Sequence, residues 1–234
     1  MKHARALRNR LFLERKVPRT HGFYSQYGQD TFIVKEIFHE MPGGFFVEVG
    51  AHDGITQSNT YYLEKNLGWK GICIEPNLSI YEKIRKNRKC LCLNTAISDQ
   101  PDNFRFLKLD GYSEMLSGLI EKYDPRHVER IKKEIGIYGG IAVEITVSCK
   151  NLYNILTNHG VKKVDYLCFD TEGSELDILK SLDFNEVTYK VTSTSAPFRL
   201  AQSKQSRTAA PFPRFFSCFK TTAPIFPAIK EVSS

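Results

Sequence analysis

The chain has no apolar run of membrane-spanning length, no signal-peptide core, no Cys-x-x-Cys pair and no Gly-x-Gly-x-x-Gly fingerprint. The first two absences lead us to expect neither a transmembrane helix nor a secretory leader. The third argues against zinc and disulfides: most of the six cysteines sit in apolar runs such as Gly71-Ile72-Cys73-Ile74, as small buried hydrophobes in a reducing, cytoplasmic setting do. The fourth disfavours a nicotinamide-dependent oxidoreductase. Acidic charge is scarce only at the ends. Residues 1–20 and 190–234 each hold seven Lys/Arg against one acid, which leaves 19 basic and 24 acidic residues, net −5, in 21–189. The net charge of +7 is therefore a property of the two ends, and no nucleic-acid partner is expected.

What is present is an alternation of buried strands and amphipathic helices. Helices are expected at 30–41, 59–66, 78–87, 125–135, 152–158 and 174–182, with buried strands at 45–49, 71–75, 90–93 and 164–169. Such alternation implies right-handed crossovers and a mostly parallel sheet with helices on both faces, within the reach of one 234-residue chain. Phe104–Leu109 reads as an inserted edge strand, paired with 141–147. The expected organisation is a flexible basic arm (1–22), an α/β domain (23–192) and a disordered Ser/Thr/Ala/Pro-rich tail (193–234).

Ligands of open α/β sheets bind at loops after the carboxyl ends of strands. Here the first such loop is Val47-Glu48-Val49-Gly50-Ala51-His52-Asp53-Gly54. Gly50 and Gly54 permit a tight turn, while carboxylates at Glu48 and Asp53 would repel a pyrophosphate. They suit a ligand carrying an ammonium and a sulfonium, as S-adenosylmethionine does. Glu75 ends the second strand, where a carboxylate can accept both hydroxyls of a ribose. The bland alternative is an ordinary turn with solvated acids.

Further along, Ser25-Gln26-Tyr27-Gly28-Gln29-Asp30, Gly44–Gly54, Ser58-Asn59-Thr60, Gly68–Asn77, Asn94–Ser98, Ser117-Gly118 and Asp165–Glu175 follow in order. With these blocks, residues 25–183 resemble the FkbM family of methyltransferases. The resemblance implies a Rossmann-like class I methyltransferase fold that uses S-adenosylmethionine to methylate a hydroxyl on a sugar, glycan or secondary metabolite. By position, it implies that Glu48, Gly50, Ala51, Asp53 and Gly54 hold the methionine part of the cofactor. Glu75 with Pro76 would hold the ribose, and Asn94 to Ala96 would border the adenine. The Ser25–Asp30 block would fold over the cofactor mouth, or else simply cap a helix.

Asp170 and Glu172 follow the 164–169 strand on the same sheet edge. Asp170 is the first choice for the base that takes the acceptor's proton, and Glu172 the second. The competing expectation is that both only cap the next helix. A metal is not expected, because no third ligand is evident. His127 and His159 read as surface residues. Past Val187, Tyr189 and Val191 the family's closing strands are not recognisable, as a shifted reading frame or truncation produces. The alternative reading is thus an inactive or truncated protein that keeps the fold and only binds.

Overall fold

The computed structural model describes residues 22–194 and 214–217. Its main sheet comprises β1 (Phe45–Val49), β2 (Lys70–Ile74), β3 (Leu91–Leu93), β8 (Lys163–Phe169), β9 (Thr188–Thr194) and β10 (Arg214–Ser217). They run in the order β10-β9-β8-β1-β2-β3, with every pairing parallel. Helices α1 (Gln29–Phe32), α2 (Tyr61–Leu67), α3 (Leu78–Asn87), α5 (Leu152–Asn158) and α6 (Glu175–Lys180) cover it.

Alternation along the strands assigns the two faces. Val47, Val49, Ile72, Ile74, Leu167 and Phe169 pack with Leu152, Leu156 and Ile178 of α5 and α6. Phe46, Cys73, Tyr166 and Cys168 instead meet Ile33, Leu63, Trp69 and Ile84 on the other side. The expected parallel sheet with helices on both faces is therefore what forms. Asn77 starts α3 by accepting from the Ser79 amide, and Asn151 starts α5 by accepting from that of Asn154.

A second, smaller sheet holds β4 (Ala96–Ile97), β5 (Asn103–Leu109), β6 (Gly118–Leu119) and β7 (Ala142–Lys150), in the order β4-β7-β5-β6. β5 was expected at an edge but lies inside this sheet, antiparallel to both neighbours. Helix α4 (Pro125–Tyr138), started by Asp124 with Pro125 in its first turn, completes the insert and outruns its expected end at residue 135.

Other departures have local causes. The helix expected over 30–41 is four α-helical residues followed by a π-turn, Ile33–Ile37. His39 and Glu40 then enter the left-handed region, ahead of Pro42, which disfavours a helical residue before it. The sheet also continues beyond the expected boundary at 192: β9 reaches Thr194, and β10 pairs with its last four residues. Leu179 and Leu182, beside this edge of the sheet, pack against the core. The arm over 1–21 and the remainder of the tail lie outside the described residues. Among the described residues, no helix is long and apolar enough to cross a membrane.

Candidate active site

A cavity of about 420 Å³ opens at the carboxyl ends of β1, β2 and β8, bounded on the far side by the insert. Glu48, Gly50, Ala51, Glu75, Pro76, Ala96, Asp170 and Glu172 all line it. Asp53, Gly54 and Asn94 do not line it, and each has another task. Asp53 accepts from the amides of Ile55 and Thr56 at 2.9 and 2.7 Å and so closes the loop on itself. Gly54 lies against α3, where a Cβ would come within 2.7 Å of Ile84 and Arg88 side-chain atoms. Asn94 donates to the carbonyls of Glu75 and Pro76 at 2.9 and 3.0 Å.

The β1 loop is built on backbone contacts. The amides of Gly50 and Ala51 both donate to the Ile74 carbonyl, and the Asp170 amide donates to that of Val49. Gly50 has φ +78°, and a Cβ there would sit 2.2 Å from the Asp170 carbonyl oxygen. Glycine is thus required by the neighbouring strand before any ligand is considered. His52, Gln57 and Glu172, all with positive φ, line the same cavity. Such strain gathers at functional sites.

Glu48 is buried and lines the cavity, and its carboxylate has several partners within the protein. Its carboxylate accepts from Ser58 Oγ, Thr60 Oγ1 (2.7 Å), the Asn59 amide (2.9 Å) and Arg88 Nη1 (3.3 Å). Arg88, buried under the loop, also donates to the Gly54 carbonyl and pairs with Glu64. Glu48 thereby ties residues 58–60 and Arg88 to the end of β1. Nothing in the local spacing links Arg88, 40 residues downstream, to Glu48.

Glu75 is the opposite case. Buried, it accepts the Asn77 amide on one oxygen (2.9 Å) and the His52 amide on the other (3.1 Å). Among the described residues no cation pairs with it, and burial pushes its pKa from 4.5 to about 7 despite these two donors, with nearby Glu114 adding to the rise. His52 reaches across to the insert, its Nε2 3.0 Å from Glu114 Oε2.

The Ser25–Asp30 block lies beside the cavity and is tied to itself by hydrogen bonds. Buried Asp30 accepts from the amides of Ser25 and Thr31 while the Ser25 hydroxyl caps the Asp30 amide, and Gln26 and Tyr27 line the cavity. Ser117, singled out with Gly118, also lines it, accepting from the Leu109 amide and donating to the Glu114 carbonyl.

The loop carrying Asp170 and Glu172 is clasped by the insert. Lys122 pairs with Asp177, and a Cβ on Gly173 would lie 2.4 Å from the Lys122 carbonyl oxygen. His127, expected on the surface, has a side chain only 11% exposed. Its Nε2 lies 3.1 Å from the Leu116 carbonyl and its Nδ1 3.2 Å from Glu172 Oε2. His159 is exposed, as expected. Among the described residues, no group of three or more His, Cys, Asp or Glu is arranged to hold a metal ion.

The model of the methyltransferase FkbM domain matches residues 48–206. The match runs past residue 192, where the sequence appeared to turn unrelated. Comparisons with curated proteins and with solved structures gave no match. With more than half of its length in that match, at the residues that build the cavity, the chain belongs to the FkbM family of methyltransferases.

Proposed function

We propose that the protein is an S-adenosylmethionine-dependent O-methyltransferase acting on a hydroxyl of a glycan, sugar or small metabolite. The observation that carries this reading is the single cavity joining Glu75, the Gly50 backbone and Asp170 at one edge of a parallel sheet. Its volume lies in the range of small-molecule cofactor sites.

The residues present fit the cofactor. Glu75 offers a carboxylate to a ribose diol, and Ile80, Ala96 and Ile97 supply apolar wall beside it for a base. Asn59 Oδ1 and Thr171 Oγ1 are buried, lack a hydrogen-bond partner and belong to residues lining the same cavity. Buried polar atoms of this kind call for a ligand or water, and they suit the amino-acid end. When bound, the sulfonium supplies an electrophilic methyl group. Asp170 is exposed, lines the cavity and follows β8, which β1 separates from β2 and Glu75, so it can orient an acceptor hydroxyl and take its proton on a carboxylate oxygen. Glu172 is second in that role and is held by His127.

Isothermal titration with S-adenosylmethionine tests the cofactor. Glu75→Gln and Asn59→Ala should each weaken binding about tenfold or more, and an absence of binding to a cooperatively folded wild type rejects the reading. Asp170→Asn should lower turnover about 100-fold or more at unchanged cofactor affinity. Equal turnover removes Asp170 from the chemistry.

A further inference from the structure

Beneath the cofactor loop, on the face of the sheet away from α5 and α6, three thiols gather at the β2–β3 edge. Cys73 is fully buried in β2, and Cys90, just before β3, is partly exposed. Their sulfurs lie 3.5 Å apart. Cys92 is the register partner of Cys73, but its thiol donates to the Cys90 carbonyl.

We propose that Cys73 and Cys90 form a thiol–disulfide modification site, oxidised by a low-molecular-weight disulfide, whose closure loosens the cofactor loop through Arg88. Geometry sets the order of events. Of this pair Cys90 is the partly exposed thiol, and Cys73 is buried 3.5 Å from it. Contact with the Cys73 and Cys92 sulfurs, with Arg88 close by, holds the Cys90 thiol far below the ordinary thiol range, while burial pushes Cys73 up.

The Cys90 thiolate attacks the incoming disulfide. A Cys90 S–S bond forms, the reagent's S–S bond breaks and one thiolate leaves. Cys73, giving up its proton, then attacks the Cys90 sulfur and expels the second thiolate. Two protein thiols lose two electrons and two protons, and one disulfide becomes two thiols.

The consequence follows from the neighbours. A disulfide is about 2.0 Å long, so the 3.5 Å pair must close. The Cys90 and Lys89 amides are tied to Glu64, and Glu64 pairs with Arg88. Arg88 in turn holds Glu48, Ser58, Thr60 and the Gly54 carbonyl. Cys73 itself leans on Glu48, 3.9 Å away. Movement at Cys90 therefore reaches residues 54–60, four of which line the cavity.

The test is incubation of the full chain with glutathione disulfide, followed by alkylation and peptide mapping. The expected product is a Cys73–Cys90 linked peptide, reversed by dithiothreitol and absent from Cys90→Ser, a variant at the partly exposed position. Amide exchange over 54–60 should rise about tenfold in the oxidised protein. A stable glutathione adduct on Cys90, a link through Cys92, or full retention of both thiols would each overturn the site. Unchanged exchange over 54–60 in a linked protein would overturn its coupling to the loop.

Discussion

The carboxyl ends of β1 and β2 lie side by side on one sheet edge, yet the protein treats their acidic residues in opposite ways. At the end of β1, Glu48 is given a buried guanidinium, two hydroxyls and an amide. At the end of β2, Glu75 receives two amides, and burial raises its pKa to about 7. A paired carboxylate organises the loop around it. One held by amides alone retains proton affinity and acceptor capacity that a ligand can use. Position on the sheet edge therefore does not assign a role; the partners do.

The largest way to break the contrast is to remove the cation. Arg88→Met leaves Glu48 and Glu64 without their buried partner, and the cost should be about 3–5 kcal/mol, read as a fall in urea midpoint or as loss of cooperative unfolding. Wild-type stability in that variant would mean that the β1 end tolerates an unpaired acid as the β2 end does. Next is Gly50→Ala. It forces a Cβ toward the Asp170 carbonyl at positive φ, and about 1–3 kcal/mol of strain should appear in the same measurement. An unchanged midpoint would show that the two strand ends can separate.

Glu75 sharpens the comparison through pH. Its folded pKa lies above the ordinary value, so the native state binds the proton more tightly than the unfolded chain does. The stability this group contributes is complete below about pH 4.5 and is lost as pH rises through about 7. Thermal scans from pH 5 to 8 should show wild type losing stability relative to Glu75→Gln, and parallel curves would refute the assignment. The smallest effect belongs to an exposed analogue of the Arg88 pairing. Arg105 meets Glu121 and Glu144 in solvent, and Arg105→Ala should leave the melting temperature unchanged within error.

Strands β1, β2, β3 and β8 of the main sheet were legible because they are apolar runs separated by helix-period segments, and segment order alone implies the crossovers. The loop at 47–54 was legible as a turn after a buried strand. Which of its residues face the cavity was not. Asp53 and Gly54 share the loop's motif, but one closes the turn on its next neighbours while the other packs on α3 against residues distant in sequence. The two-residue strands β4 and β6 have too few residues to show a period. His127 looked superficial because a charged helix surrounds it; its contacts with Leu116 and Glu172 arise only when the insert folds back. β10 was missed because four residues among prolines and serines carry no pattern of their own.

Gly173 gives that folding-back a practical meaning. With the Lys122 carbonyl occupying the place of a side chain, the insert is docked on the segment that bears the proposed base. An engineer exchanging the insert would be replacing a fitted part. The graft would have to bring its own backbone to the same point beside Gly173, or the carboxylates at 170 and 172 would lose their alignment.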